Sequence, residues 1–276
     1  MKFSLGLLPP TPEGRLRANR FDELPVKGTS LIGFADMSPF VGPDRDQNGV
    51  GSCASHAVLL AARGTLARKG ALPFEPSPKA VYADTLATLR ADQHPGLSAA
   101  DLVRLYPLQD GGSMLLDVVV TLAQWGIRPI GPLGMFDCQV VQSDCVPDNF
   151  ADEPDLGGLE QSRQKLIIGA HALTSLDEDM AALESGVMLA DGGFVDSAFE
   201  EWDGGSRPIT APNMGDQNGG GHATRRLGYW WDSGTRLWLG ANTWYPWGRP
   251  HSLFIADDAW VRSRWERYAL DAEVSS

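Results

Sequence analysis

Asp46-Gln47-Asn48-Gly49-Val50-Gly51-Ser52-Cys53-Ala54-Ser55-His56-Ala57 sets a cysteine behind a glycine-containing turn, at the head of an apolar-striped segment. From Ser52 to Lys69 the apolar positions Ala54, Ala57, Val58, Leu60, Ala61 and Leu66 fall on one helical face, and Gly70 is a stop signal. A cysteine is a useful nucleophile only as thiolate, and a free thiol titrates near ~8.5. A helix N-terminus lowers that value through its dipole and its unpaired backbone N–H groups. A histidine held nearby lowers it further by ion pairing. Taken alone, a cysteine in this place is more often a buried, inert thiol.

Outward from this stretch, Pro78 to Ala91, Leu97 to Leu105 and Met114 to Trp125 read as further helices. Ser113 reads as the N-cap of the last of these. Upstream, residues 1–45 read as extended, with Pro9-Pro10-Thr11-Pro12 excluded from helix interior and Leu31 to Phe34 as a short strand. Downstream, Pro129 to Leu159 reads as loop and Leu166 to Ile168 as strand. Ser175 to Glu184 reads as a helix with a Ser175/Glu178 capping box, and Val187 to Ala190 as a buried strand. Ala223 to Trp231, Thr235 to Asn242 and His251 to Ile255 read as strands, and Asp257 to Leu270 as a helix. Helices come first and an antiparallel sheet later, which predicts an α+β fold.

Of five histidines, His222 stands apart. It follows Gln217-Asn218-Gly219-Gly220-Gly221, where backbone can approach a site closely, and it opens the strand through Leu227-Gly228-Tyr229. The hairpin partner ends at Asn242, followed by Thr243-Trp244. His56 reads as a packing or surface residue. Cys138 and Cys145 have no zinc-site spacing and read as structural or unremarkable thiols that could pair locally.

Gln47…Gly51-Ser52-Cys53, Gly111-Gly112, Gly221-His222-Ala223…Gly228-Tyr229 and Asn242-Thr243-Trp244…Trp247-Gly248, in that order, resemble the papain-like cysteine peptidases over roughly residues 36–261. The resemblance implies a two-lobed fold with a helical lobe, a β-barrel-like lobe and a site in the cleft between them. It implies a single domain over residues 1–276, with residues 1–45 extended, about 46–160 forming the helical lobe and about 161–276 the β-rich lobe. It implies Cys53 as nucleophile, His222 as base and then acid, Asn242 as the group orienting the imidazole, and Gln47 as an oxyanion donor. Trp244 would shield the Asn242–His222 hydrogen bond. Gly111, Gly112 and Gly221 would line the path of the substrate backbone. No metal or organic cofactor is implied. Ala54 stands where plant and lysosomal members carry tryptophan, Val50 where they carry a disulfide cysteine, and Tyr245-Pro246 replaces a glycine-containing turn. In these positions, and in Gly6-Leu7-Leu8-Pro9-Pro10, the chain is similar to the bacterial and phage branch. The forty-odd residues before Gln47 are expected to supply the first strand and no long inhibitory segment.

The formal net charge of −12 and pI of about 4.8 disfavour a nucleic-acid partner, because phosphate binding needs a basic face. No run approaches the ~18 apolar residues of a membrane span, and Met1 to Leu8 is too short and weakly apolar for a signal peptide. The expected setting is cytoplasmic or virion-associated, with no membrane partner and a peptide or protein substrate. The alternative expectation is a papain-like scaffold kept as a structural or interaction protein in a phage particle or other assembly. A third is amide or acyl transfer on a non-peptide substrate.

Overall fold

The helix headed by Cys53 is buried on nearly every side, so its low amphipathicity follows from its position. A computed structural model of the chain describes residues 5–9, 19–20, 33–47, 49–127, 166–244 and 246–274. In chain order its elements are β1 (Asn19–Arg20), β2 (Ala35–Asp36), α1 (Cys53–Arg68), α2 (Pro78–Gln93), α3 (Ala99–Leu105) and α4 (Leu115–Trp125). There follow β3 (Leu166–Ala172), α5 (Leu176–Glu184), β4 (Leu189–Val195), α6 (Ser197–Glu200) and β5 (Gly220–Asp232). The chain closes with β6 (Thr235–Ala241), β7 (Leu253–Ala256), α7 (Asp258–Arg262) and β8 (Glu266–Val274).

The strands form one sheet in the order β1-β3-β8-β4-β5-β6-β7, with β2 added against β5. All pairings are antiparallel except β1 with β3. One face of the sheet carries α1, whose small residues Ala54, Ala57 and Ala61 share a core with Ala190, Ala223 and Leu270. At Gly64 a Cβ would lie 2.1 Å from the Met188 sulfur, so any larger residue there would displace the Met188 side chain from the helix–sheet contact. The other face carries an aromatic core of Phe199, Trp238, Trp244, Trp247, Phe254 and Trp260. Phe199 and Trp260 stack there at 4.9 Å and 4°. Full burial of a large apolar side chain contributes ~1.5–3 kcal/mol each, which gives this face its weight.

The segregation predicted from the sequence holds: α1 to α4 occupy the first half and the long strands the second. The Ser175/Glu178 capping box forms, with the Glu178 N–H donating to Ser175 Oγ at 3.2 Å. Three expectations need correction. Of the strand expected at Leu31 to Phe34, Leu31 and Ile32 lie outside the described residues, Gly33 and Phe34 are not in a strand, with Phe34 62% exposed, and a short strand is found at Ala35–Asp36. Ser113 does not cap α4: Met114 occupies that position, with its N–H donating to Asp117 Oδ2 at 3.1 Å, while Ser113 is buried and uses its backbone elsewhere. The helix expected over Asp257 to Leu270 ends at Arg262, and Glu266–Val274 is a strand between β3 and β4. Its Ala, Leu and Glu residues favour helix locally, and two ladders of long-range hydrogen bonds override that preference. His251 precedes β7 in a left-handed turn conformation (φ 63°). Cys138, Cys145 and the loop from Pro129 to Leu159 lie outside the described residues. Among the described residues no helix is long and apolar enough to cross a membrane.

Candidate active site

Cys53 is the first residue of α1 and is fully buried. Ser52 provides no side-chain cap, so the first-turn N–H groups keep their electropositive character. Its carbonyl accepts the backbone N–H of His56 and the ring Nδ1–H of His56, both at 3.0 Å. His56 is therefore a buried residue that braces the turn ahead of Cys53, and burial holds its pKa down at about 3.

Gln47 closes the same turn. Its backbone N–H donates to Thr243 O at 2.9 Å, its side-chain nitrogen donates to Val50 O at 3.0 Å, and its side-chain oxygen accepts the Thr243 hydroxyl at 2.7 Å. A carbonyl can only accept, so the Val50 contact fixes which end of the amide is nitrogen.

The opposite wall is the sheet. His222 lies on β5, in register with Gly193 of β4. Its Nε2 donates to Asn242 Oδ1 at 2.7 Å. That oxygen also accepts the Thr243 backbone N–H at 2.7 Å, which can only donate, so the orientation of the Asn242 amide is fixed independently. The imidazole proton is then on Nε2, and Nδ1, which has no hydrogen-bond partner among the described residues, carries the lone pair. Trp244 stacks on the His222 ring at 4.1 Å and 27°, and is itself fully buried. Burial pushes the His222 pKa down to about 4, with the Asn242 hydrogen bond acting in the other direction.

Residues 5–9 run through the space between the two walls. The Leu7 N–H donates to Gly221 O at 3.1 Å, the Leu8 N–H to Ser113 O at 3.2 Å, and the Ser113 N–H to Gly6 O at 3.0 Å. Leu7 and Ser113 form a parallel bridge. The N-terminal residues are expected from the sequence to supply the first strand and no long inhibitory segment; residues 5–9 form this short strap instead. Glycines make room for it. A Cβ on Gly112 would lie 2.0 Å from Gly6 O, one on Gly221 2.2 Å from Leu7 O, and one on Gly6 2.2 Å from Gly51 O. Gly112 also has a φ of 74°. Gly111 is exposed, and a Cβ there would meet only Gln109 O at 4.0 Å.

Backbone N–H groups of Ala223 and Gly6 reach toward the Cys53 thiol. Burial nonetheless pushes its pKa up to about 11, because desolvation penalises the thiolate more than these dipoles favour it. With the strap in place the cleft holds a neutral thiol and a neutral imidazole, and no hydrogen bond joins His222 Nδ1 to the sulfur.

Cys53, Gln47, His222, Asn242, Trp244, Gly112 and Gly221 are thus brought to one cleft, and Gly111 lies at its rim. The sequence reading missed four contributors. Thr243 locks both Gln47 and Asn242, and it stood unread inside a quoted motif. Asp110, next to Gly111, accepts the Gly51 N–H, and Tyr82 on α2 donates to Asp110. Phe199 supports His222 and Trp244 from α6, and no local pattern could have marked it. Among the described residues no group of three or more His, Cys, Asp or Glu side chains could hold a metal ion.

The sequence matches no protein-family model and no curated protein. Solved structures do match. Xylellain, a cysteine protease from Xylella fastidiosa, superposes with a TM-score of 0.67 at 17% identity, over 99% of this chain and 96% of that one. Digestive procathepsin L 3 of the Tenebrio molitor larval midgut gives 0.61 at 16% identity, over 88% and 71%. A structure from work on the mite allergens Blo t 1 and Der p 1 gives 0.58 at 15% identity, over 93% and 76%. The chain has the two-lobed papain-like α+β fold.

Proposed function

We propose that this chain is a cysteine peptidase that hydrolyses peptide bonds through Cys53, His222 and Asn242, and that residues 5–9 hold it latent until they leave the cleft. The observation that carries the reading is the strap itself. An extended backbone lies over Cys53, hydrogen-bonded to Gly221 on one side and Ser113 on the other, as a peptide substrate needs to be. When the strap leaves, water reaches the thiol and the imidazole, and the desolvation that keeps both neutral is relieved. The Cys53 proton then passes to His222 Nδ1, whose partner nitrogen is already anchored on Asn242. The thiolate adds to the scissile carbonyl carbon. The oxyanion is held by the Cys53 N–H and the Gln47 side-chain amide, and losing one such donor costs ~10²–10³ in rate. Collapse of the adduct breaks the C–N bond, and His222 returns its proton to the leaving amine. Water, deprotonated by His222, then cleaves the thioester and restores the thiol. Ala54 and Val50 align the chain with bacterial and phage members of the family.

The filled cleft also favours a second reading, a papain-like scaffold serving an assembly. The two are separated by the full-length Gly6→Val variant, whose new side chain collides with Gly51 O. The expected result is labelling of Cys53 by an epoxysuccinyl thiol probe and hydrolysis of a fluorogenic peptide, both lost in Cys53→Ala and sharply reduced in His222→Ala. A folded Gly6→Val variant without labelling, or with labelling spread over Cys138 and Cys145, would sink the peptidase reading and leave the scaffold.

A further inference from the structure

The turn before Cys53 is gripped through a single peptide group. The carbonyl of Val50 accepts the Gln47 side-chain N–H at 3.0 Å. The N–H of Gly51 belongs to the same peptide plane, and it donates to both oxygens of Asp110, at 3.0 Å each. Asp110 in turn accepts the Tyr82 hydroxyl at 2.6 Å, and that hydroxyl accepts the Gly112 N–H at 3.0 Å. Five groups are therefore in series, from the wall glycine to the proposed oxyanion donor. We propose that Asp110 is a positioning residue for the oxyanion site, acting through the Val50–Gly51 peptide on the Gln47 amide. This rests on the peptidase reading for its catalytic meaning.

The physical argument has three parts. A hydrogen bond from N–H to a carboxylate is charge-assisted and stronger than a neutral one. Drawing on the N–H end of a peptide polarises it, so the Val50 carbonyl becomes a better acceptor and holds Gln47 more firmly. The plane of that peptide is also fixed in rotation, which sets where the Gln47 nitrogen sits. The local sequence fits this role. At Gly51 a Cβ would lie 2.7 Å from Asp110 Oδ1, so only glycine admits the carboxylate this closely. Tyr82 and Val50 share a small buried core with Leu86, Ala87 and Leu108, which gives the relay a firm base. Burial, followed by the hydrogen bond to Asp110, raises the Tyr82 pKa, so it remains a phenol donor. A mere loop staple would cost stability and substrate affinity without any coupling to Gln47.

Two readouts on the full-length chain separate these roles. The first is the ¹⁵N-resolved side-chain amide of Gln47, assigned with Gln47→Ala. In Asp110→Asn its resonance is expected to shift and its hydrogen exchange to quicken about tenfold, as the charge-assisted bond is lost. An unmoved Gln47 amide overturns the proposal. The second is peptide hydrolysis, read with every variant in the Gly6→Val background, where the strap no longer covers Cys53. Asp110→Asn is expected to lower kcat about tenfold with little change in KM, in keeping with the loss of alignment alone. Adding Asp110→Asn to Gln47→Ala should lower kcat no further. Losses that multiply would overturn the relay. If Asp110→Asn does not fold, Tyr82→Phe removes one bond to the carboxylate, and the Gln47 amide must still move, by less. A folded Gly6→Val chain with no turnover counts against the peptidase reading alone, and the amide resonance still decides the relay.

Discussion

The two walls of the cleft are held by different means. On the sheet wall, His222 sits in a strand ladder with β4, its ring lies under Trp244, and Asn242 is pinned where β6 ends, its backbone N–H donating to Ser252 O. Long-range pairing and an aromatic core fix it. On the helical wall, Cys53 sits at a helix head without a side-chain cap, and the turn before it is held by a few polar contacts from Gln47, His56 and Asp110. The strap bonds to both walls. The contrast teaches that His222 is placed by the fold as a whole, whereas the position of Cys53 depends on a handful of hydrogen bonds and on what covers it.

The comparison breaks most severely at Trp244. Trp244→Ala is expected to cost about 3–5 kcal/mol, as for other buried aromatic truncations, and to loosen His222; urea unfolding measures it. A loss below about 1 kcal/mol would deny the aromatic core its part in the sheet wall. Next comes Gly6→Val. It removes the strap's close approach and with it two or three backbone hydrogen bonds of ~1 kcal/mol each, so Cys53 alkylation at pH 7 should quicken about ten- to a hundredfold. Unchanged alkylation would mean that the strap does not govern access.

Acid stability tests both walls at once. An unperturbed histidine titrates near ~6.5. His222 and His56 are held at about 4 and about 3 by burial, so below ~6.5 the unfolded chain binds more protons than the folded one. Their contribution is fully present above ~6.5 and is lost as pH falls toward the folded values. Urea midpoints should therefore drop between pH 6.5 and 4. His222→Gln and His56→Gln should each flatten that slope, one for each wall. The smallest effect is expected at Thr243→Val, which removes the hydroxyl donor to Gln47 and should cost ~1 kcal/mol, with peptide turnover in the Gly6→Val background falling severalfold and the fold unchanged.

Much of this was legible in the chain because the signals are local. The helix after Ser52 and the Ser175/Glu178 box depend on residues a few positions apart, and they formed where the local sequence placed them. Glu266–Val274 was misread for the opposite reason. Its composition favours helix, and only neighbours from β3 and β4, remote in sequence, make it a strand. The strap was missed for the same cause. Leu5-Gly6-Leu7-Leu8 carries no periodicity, and its partners Gly51, Ser113 and Gly221 lie far along the chain.

By itself, then, the sequence determined which residue types were available for thiol chemistry, their order, and the α+β division, because residue identity and short-range pattern are properties of the chain alone. Tertiary structure decided what those residues face: which amide end Gln47 presents, which nitrogen His222 leaves unpartnered, that Asp110 reaches the turn before Cys53, and that the chain's own backbone covers the thiol. Hydrogen-bond direction and desolvation arise only between groups brought together by folding, and both act over a few ångströms of space whatever the distance along the chain.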